Sequence, residues 1–250
     1  MGVFPGVGTL IDAAAIAGGA SVGSLAGHRM PQRVRDALTD ALAIVIAVLG
    51  GLNVVSLTNP DLKRAVGAGG ATLVLTGALV VGTVIGAGLH IEGRLEVLGA
   101  WMQKKLTRDE APGARASFIE GFVSTSLVVG IGPLAILGPL SEGLGQGMEQ
   151  LVVKGAIDGC LCVAFAASLG WGVAAAALTV LVVQESITAI GATVGSFLSG
   201  AEIAAITAVG GILLLGIALR LLSIKHVAVG NMLPAVVFGP LIVWIVTLFR

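Results

Sequence analysis

Lys154 and Asp158 stand four residues apart in a stretch that is otherwise almost wholly apolar. On a helix that spacing puts both side chains on one face, where they can pair. Each would cost about 2.5–3.5 kcal/mol at the centre of a bilayer, and pairing offsets part of that. An ionisable residue inside a membrane span is by default a functional hypothesis: a substrate or ion site, or a proton relay. The competing reading is a structural ion pair near the outer interface. Asp12 lies a few residues into the first apolar stretch. It either snorkels outward or lines the same cavity as Asp158. Asn231 and Gln184 are neutral amides that bridge helices or coordinate a ligand, and bridging is the commoner use. Glu120, Glu142 and Glu185 fall near the ends of apolar stretches, where a carboxylate is solvated at little cost.

Prolines mark irregular backbone. Pro133 and Pro139 interrupt one apolar stretch among Gly130, Gly132, Gly138 and Gly143, and Pro234 and Pro240 interrupt the last. Non-helical backbone at membrane depth is tolerated only inside protein or beside a water-filled cavity. Half-helix ends present free N–H or C=O groups with a dipole, and interrupted spans in both halves of a chain point to a transport site. Ser124, Thr125 and Ser126 add hydroxyls about two helical turns before Pro133. The candidate substrate or ion site is therefore Lys154, Asp158, Asp12, Asn231, Ser124, Ser126, Gly132, Pro133 and Pro234. Lys154 or the half-helix N–H groups would hold an anionic group. Asp158, with Asp12, would hold a cation or a proton.

Other chemistries lack residues. There is no GxSxG, HExxH or P-loop, and no acidic cluster of the kind that holds magnesium in lipid-linked transferases, so an enzyme is not expected. The Gly-rich runs lie inside apolar stretches rather than between a strand and a helix, so they are not nucleotide cradles. Cys160 and Cys162 form a lone CxC without further ligands, which reads as small packing residues. His28, His90 and His226 fall at the cytoplasmic ends of predicted spans without ligand spacing. No metal and no cofactor are expected.

The elements that position these residues follow from composition. Of 250 residues, 56% are hydrophobic and 11% charged, against about 25% charged in a soluble domain. Mean hydropathy is +1.03. Such a chain cannot clothe a water-exposed surface, so it is an integral membrane protein with lipid as its first partner. A net charge of +0 argues against nucleic acid, which calls for a basic patch. The 38 glycines suit close helix–helix approach in lipid, and their GxxxG faces are compatible with a homo-oligomer.

A span needs about 20 apolar residues. The charge-free runs place spans at 9–28, 37–56, 70–90, 118–140, 150–169, 172–190, 203–223 and 229–249. That makes eight. The alternative is seven, if the run from Gly159 to Gln184 is one long span rather than two broken at Ser168–Gly172. Residues 92–106 place Leu95, Leu98 and Met102 on one stripe with charges opposite. They read as an amphipathic helix on the membrane surface. Residues 107–117 read as a soluble linker. Arg29, Arg33 and Arg35, and then Arg94, Lys104, Lys105, Arg108 and Arg115, mark two loops as cytoplasmic. The N-terminus is then expected outside. With no basic residue before Arg29, the first stretch is not a cleavable signal peptide.

Gly-containing segments recur. Residues 17–25 resemble 189–197, and Thr9, Leu10, Gly19 and Gly23 match Thr72, Leu73, Gly82 and Gly86 at a constant offset. Shared packing grammar and an internal repeat both account for this.

Three motifs then carry a resemblance: Phe118-x-x-Gly121-Phe122, Gly132-Pro133-Leu134-Ala135-Ile136-Leu137-Gly138, and Lys154-x-x-x-Asp158-Gly159. With Gly18-Gly19-x-x-x-Gly23, Ile91-Glu92-x-x-Leu95-Glu96 and Asn231-x-Leu233-Pro234-Ala235, they cover essentially the whole chain. In that order they resemble the DUF554 family of uncharacterised prokaryotic membrane proteins. Position 12, Asn in that pattern, is Asp12 here. The resemblance implies an inner-membrane protein and no established substrate.

The expectation is an all-α polytopic transmembrane bundle in one domain over residues 1–250. It has seven or eight Gly-rich, closely packed spans, an internal repeat and broken helices. Its expected function is passage of a small ion or small polar solute. Two other classes remain: a non-transporting structural or assembly protein, and a lipid-acting enzyme.

Overall fold

A computed structural model describes residues 5–27, 29–67, 69–106, 113–130, 133–194 and 198–249. These residues are helical almost throughout, and no strand occurs among them. The helices are α1 (Val7–Gly27), α2 (Gln32–Val54), α3 (Pro60–Val66), α4 (Gly70–Gly88), α5 (Ile91–Leu106) and α6 (Ala114–Gly130). They continue with α7 (Pro133–Gly143), α8 (Glu149–Leu169), α9 (Gly172–Val194), α10 (Gly200–Leu221) and α11 (Ala235–Leu248). Two 3-10 turns, Val55–Thr58 and Val229–Met232, precede α3 and α11. Seven helical segments are long and apolar enough to cross a membrane, and α6 with α7, bent by 61°, makes up to eight when the pair is counted as one span.

By internal packing the chain divides into two units. The first comprises residues 1–42, 96–130 and 134–197, and the second 43–95, 131–133 and 198–250.

In the first unit α1 packs on both α8 and α9, and α6 lies along α9. The buried face of α1 includes Thr9, Asp12, Ile16, Ala20, Gly23 and Gly27, a spacing of three to four residues. Glycine is required where α1 meets α8. A Cβ on Gly19 would collide with the Gly159 carbonyl, one on Gly23 with that of Val163, and one on Gly27 with that of Ala167. These partners advance together, so the two helices run parallel. α8 ends at Gly170, whose φ of 77° favours glycine. The stretch between Gly159 and Gln184 is therefore two helices and not one.

In the second unit α10 is the buried helix: 78% of its apolar window is enclosed. A capping box begins it. Ser199 Oγ accepts from the Glu202 N–H at 3.3 Å, and the Ser199 N–H donates to Glu202 Oε2 at 2.6 Å. Asn59 caps α3 by accepting from the N–H groups of Asp61 and Leu62. Leu62, Ala71, Val74, Ala201, Ala204, Ala205 and Val243 form a core between α3, α4, α10 and α11. Gly50 of α2 meets Gly211 and Leu215 of α10, while Gly211 meets Val54, so these two helices run antiparallel. Gly82 meets Ala235 and Gly86 meets Asn231, so α4 and α11 are antiparallel as well. The glycine motif shared by α1 and α4 thus serves a parallel pairing in one unit and an antiparallel one in the other.

These directions fix the count of crossings. Successive spans alternate in direction. α1 and α8 can be parallel only if an odd number of crossings separates them, and α2, α4 and the α6–α7 pair supply three. The antiparallel pairs α2–α10 and α4–α11 each need an even number of crossings between them, and counting α6–α7 makes it four in both cases. With α6–α7 omitted, all three pairings would have the wrong sense.

Two local expectations change. The segment expected as a loop around 57–69 contains α3, because Asn59, Pro60 and Asp61 form a helix start. On α5 the enclosed residues are Glu92, Gly99 and Met102, whereas Leu98 is 43% exposed. A charged residue joins the buried face because Glu92 finds partners there, described below. Of the linker, residues 107–112 lie outside the described residues, as do His28 and residues 195–197 of the second Gly-containing segment.

Candidate functional site

Three charged side chains meet inside the first unit. Lys154 Nζ on α8 donates to Asp12 Oδ2 on α1 at 2.8 Å, and also to Asp158 Oδ2 one turn along α8. Gln184 Nε2 on α9 donates to the same Asp12 oxygen at 2.8 Å. Asp12 is 0% exposed, Gln184 2%, Lys154 5% and Asp158 8%. All four lie within membrane-spanning helices.

The glycine contacts build this site. A Cβ on Gly155 would stand 3.0 Å from the Asp12 Cα, so the missing side chain lets α1 approach α8 at that level. Gly159 does the same against Ala15. The backbones come close enough for a short aspartate to reach the ammonium.

The cluster is overcharged. Two carboxylates face one ammonium, a formal charge of −1 in a place screened from water. Lys154 is already paired twice. The atoms left without a protein partner are acceptors: Asp12 Oδ1 and Gln184 Oε1. A buried polar atom left unpaired costs about 1–3 kcal/mol, so this arrangement favours a positive ion or a proton. It does not favour the anion that Lys154 was expected to hold.

More oxygens lie one turn towards the N-terminus of α1. The Gly8 N–H donates to Glu142 Oε1 of α7 at 2.7 Å, and Glu142 is 6% exposed. Thr9 and Thr188 are 0% and 2% exposed. Their hydroxyls and Glu142 Oε2 also lack protein partners. Glu142 was expected to be solvated at a span end. The bend between α6 and α7 instead brings it against α1, and the sequence offers Pro133 and Pro139 as the sign of that bend. Thr9 and Thr188 carry no sequence signal, since single threonines in apolar helices are ordinary.

The structure thus brings together Lys154, Asp158 and Asp12 of the expected set. Ser124 and Ser126 lie in the same unit and have other partners. Ser124 Oγ donates to Glu120 Oε1 at 2.9 Å, and Ser126 Oγ to Thr179 Oγ1 at 3.2 Å. Pro133 opens α7. Gly132 lies outside the described residues.

Asn231 and Pro234 belong to the second unit, which has its own polar knot. Asn231 Oδ1 accepts from the Glu92 N–H at 2.9 Å. Glu92 Oε1 accepts from Arg220 Nη1 at 2.6 Å, and Oε2 from the Gly230 N–H at 2.6 Å. Asn231 therefore bridges backbone segments as a packing amide does. Pro234 is the residue from which α11 departs.

The chain has counterparts. Residues 7–244 match the family described as "Protein of unknown function (DUF554)". It is 27% identical over 242 residues to the "Uncharacterized membrane protein YdfK" of Bacillus subtilis, covering 97% of each chain. It is 28% identical over 233 residues to the "Uncharacterized protein YqgA" of Escherichia coli, covering 93% of this chain and 94% of that one. No solved structure matches.

Proposed function

The chain belongs to the DUF554 family, which brings no assigned activity, and from its own residues we propose that it passes a small ion or small polar solute across the bacterial inner membrane, as a transporter or channel. The observation that carries this reading is the enclosed cluster of Asp12, Lys154 and Asp158 with its unbalanced negative charge. Ionisable groups in spans are expensive and mark ion pathways and proton relays. The acceptor character of the spare atoms favours a cation or proton as the species that moves. The basic residues of the 28–36 and 91–117 segments support an orientation with those segments inside and the N-terminal end of α1 outside.

A sealed structural cluster is the second reading. The Lys154–Asp12 bond ties α1 to α8, which alone would favour it. The two readings part in reconstituted liposomes. Currents on a solid-supported membrane are recorded after concentration steps of proton, sodium, potassium and chloride. The transport reading expects a current for a cation or proton, lost in Asp12→Asn and Asp158→Asn. The absence of current in the parent protein for every ion would leave the sealed cluster.

A further inference from the structure

We infer that the face shared by α1, α7 and α9 is a proton path from the N-terminal end of α1 to Asp12, built from Glu142, Thr9, Thr188 and Gln184. This rests on the transport reading above and deepens it by naming the ion and its route. Eight buried side chains among the described residues hold an N or O atom without a protein partner, and five of them are Thr9, Asp12, Glu142, Gln184 and Thr188. They form one file.

The bonds and contacts set its order. Glu142 bonds the N–H of Gly8, beside Thr9. A Cβ on Gly143 would collide with the carbonyl of Thr188, so α7 meets α9 at Thr188, one residue along from Glu142. α1 and α9 run in opposite senses, since α1 is the first crossing and α9 the sixth. With Asp12 bonded to Gln184, Thr9 comes level with Thr188, one turn further out. At the outer end a Cβ on Gly6 would lie 2.6 Å from the Glu185 carboxylate. Glu185 is half-buried and forms the mouth.

At the other end the file stops. Past Asp158, α1 and α8 touch through Gly19, Gly23 and Gly27, where there is no room even for a methyl group. The path is open on one side only.

The chemistry suits a proton better than a metal ion. A relay needs groups that both donate and accept, and threonine hydroxyls do both. A hard cation needs several oxygens around one point. Among the described residues the only three acidic or histidine ligands that converge within 4.8 Å are elsewhere. The groups facing Asp12 are Lys154 and Asp158 on α8, Gln184 on α9, and, a turn further out, Glu142 on α7 and Glu185 on α9. When a proton binds Asp12 Oδ1, the O–H bond formed makes that carboxyl neutral, and the cluster goes from −1 to 0. Lys154 stays paired with Asp158. Release of the proton restores the charge.

The test uses full-length protein in liposomes, with Cys160→Ser and Cys162→Ala as background. Thr188→Cys is expected to react with methanethiosulfonate ethyltrimethylammonium added from the side of the α1 N-terminus, and Ser24→Cys, buried within the glycine contact, is expected not to. Misfolding would expose both and is thereby recognised. Proton flux is then read with an internal pH dye. Thr188→Val and Glu142→Gln are each expected to slow it at least tenfold, and Thr125→Val, buried but outside the file, to leave it unchanged. An unreactive Thr188→Cys overturns the path. If parental proton flux persists in that case, the transport reading survives without it. A reactive Thr188→Cys with no proton flux in the parent overturns the proton path, and the transport reading falls with it only where the currents of sodium, potassium and chloride are absent too.

Discussion

Replacing Lys154 by Met should destabilise the protein far more than replacing Asp12 by Asn, although both abolish the same ion pair, 2.8 Å long. At an effective dielectric of about 20, unit charges 4 Å apart interact by about 4 kcal/mol. Lys154→Met removes two such attractions and recovers only one ammonium's desolvation. It leaves two carboxylates enclosed without a counter-ion, on side chains 0% and 11% exposed. Breaking a buried pair in this way costs about 3–5 kcal/mol. Asp12→Asn removes one attraction but also one of the two carboxylates. The remaining Lys154–Asp158 pair is neutral, and the new amide oxygen can accept from both Lys154 and Gln184. The attraction lost and the desolvation relieved nearly cancel, which leaves a cost of about 0–1 kcal/mol. Equilibrium unfolding in mixed micelles of dodecylmaltoside and SDS, followed by circular dichroism, measures both. Adding Asp12→Asn to Lys154→Met should recover part of the loss, because one uncompensated carboxylate is gone. Equal losses for the two single variants would refute the reasoning, since they would mean that the cluster carries no surplus negative charge.

Three further outcomes follow from the packing. Gly19→Ala should lower the unfolding free energy in detergent by about 1–3 kcal/mol, the scale of overpacking a tight contact, because its Cβ meets the Gly159 carbonyl. Gly18→Ala, with nothing within 4 Å, should be neutral or stabilising by up to about 1 kcal/mol through helix propensity, and the same unfolding curves report it. In the second unit Arg220→Met should cost about 3–5 kcal/mol, leaving Glu92 enclosed without that partner, whereas Asn231→Ala should cost only about 1 kcal/mol for one hydrogen bond. Accessibility tags at Gly145, between α7 and α8, and at Gly170, between α8 and α9, should report opposite faces of the membrane. Tags on the same face would contradict α8 as a crossing.

Much of this molecule could be read from residues alone, for a physical reason. Spans in lipid are written as charge-free runs about 20 residues long, so eight apolar segments can be counted along the chain, α6–α7 among them. The pairing of Lys154 with Asp158 was also legible, since a spacing of four is local. The third member could be suspected but not placed. Asp12 lies 142 residues from Lys154, and only the glycine contact between α1 and α8 brings them within reach. Glu142 was misjudged as solvated because its position in the chain suggested a span end. The bend before α7 turns that end towards Gly8. Asn231 reads as an amide that either bridges helices or coordinates a ligand, and only the fold decides between them, since its side-chain oxygen accepts from the Glu92 N–H.

The distance in sequence between Asp12 and Lys154 has a consequence for how the protein is made. Of the seven single-helix spans, α1 is the least hydrophobic, at 1.4, and Asp12 is part of the reason. Its counter-charge is synthesised 142 residues later, which at roughly 5–20 residues per second is a delay of roughly 7–30 s. Throughout that interval α1 holds a carboxylate with no ammonium beside it, and its small-residue face has no α8 to rest on. Until then the cost of burying Asp12 in lipid is offset by nothing in the chain. α1 settles only when α8 arrives, so a truncation before Lys154 should leave α1 the least firmly inserted part of the chain.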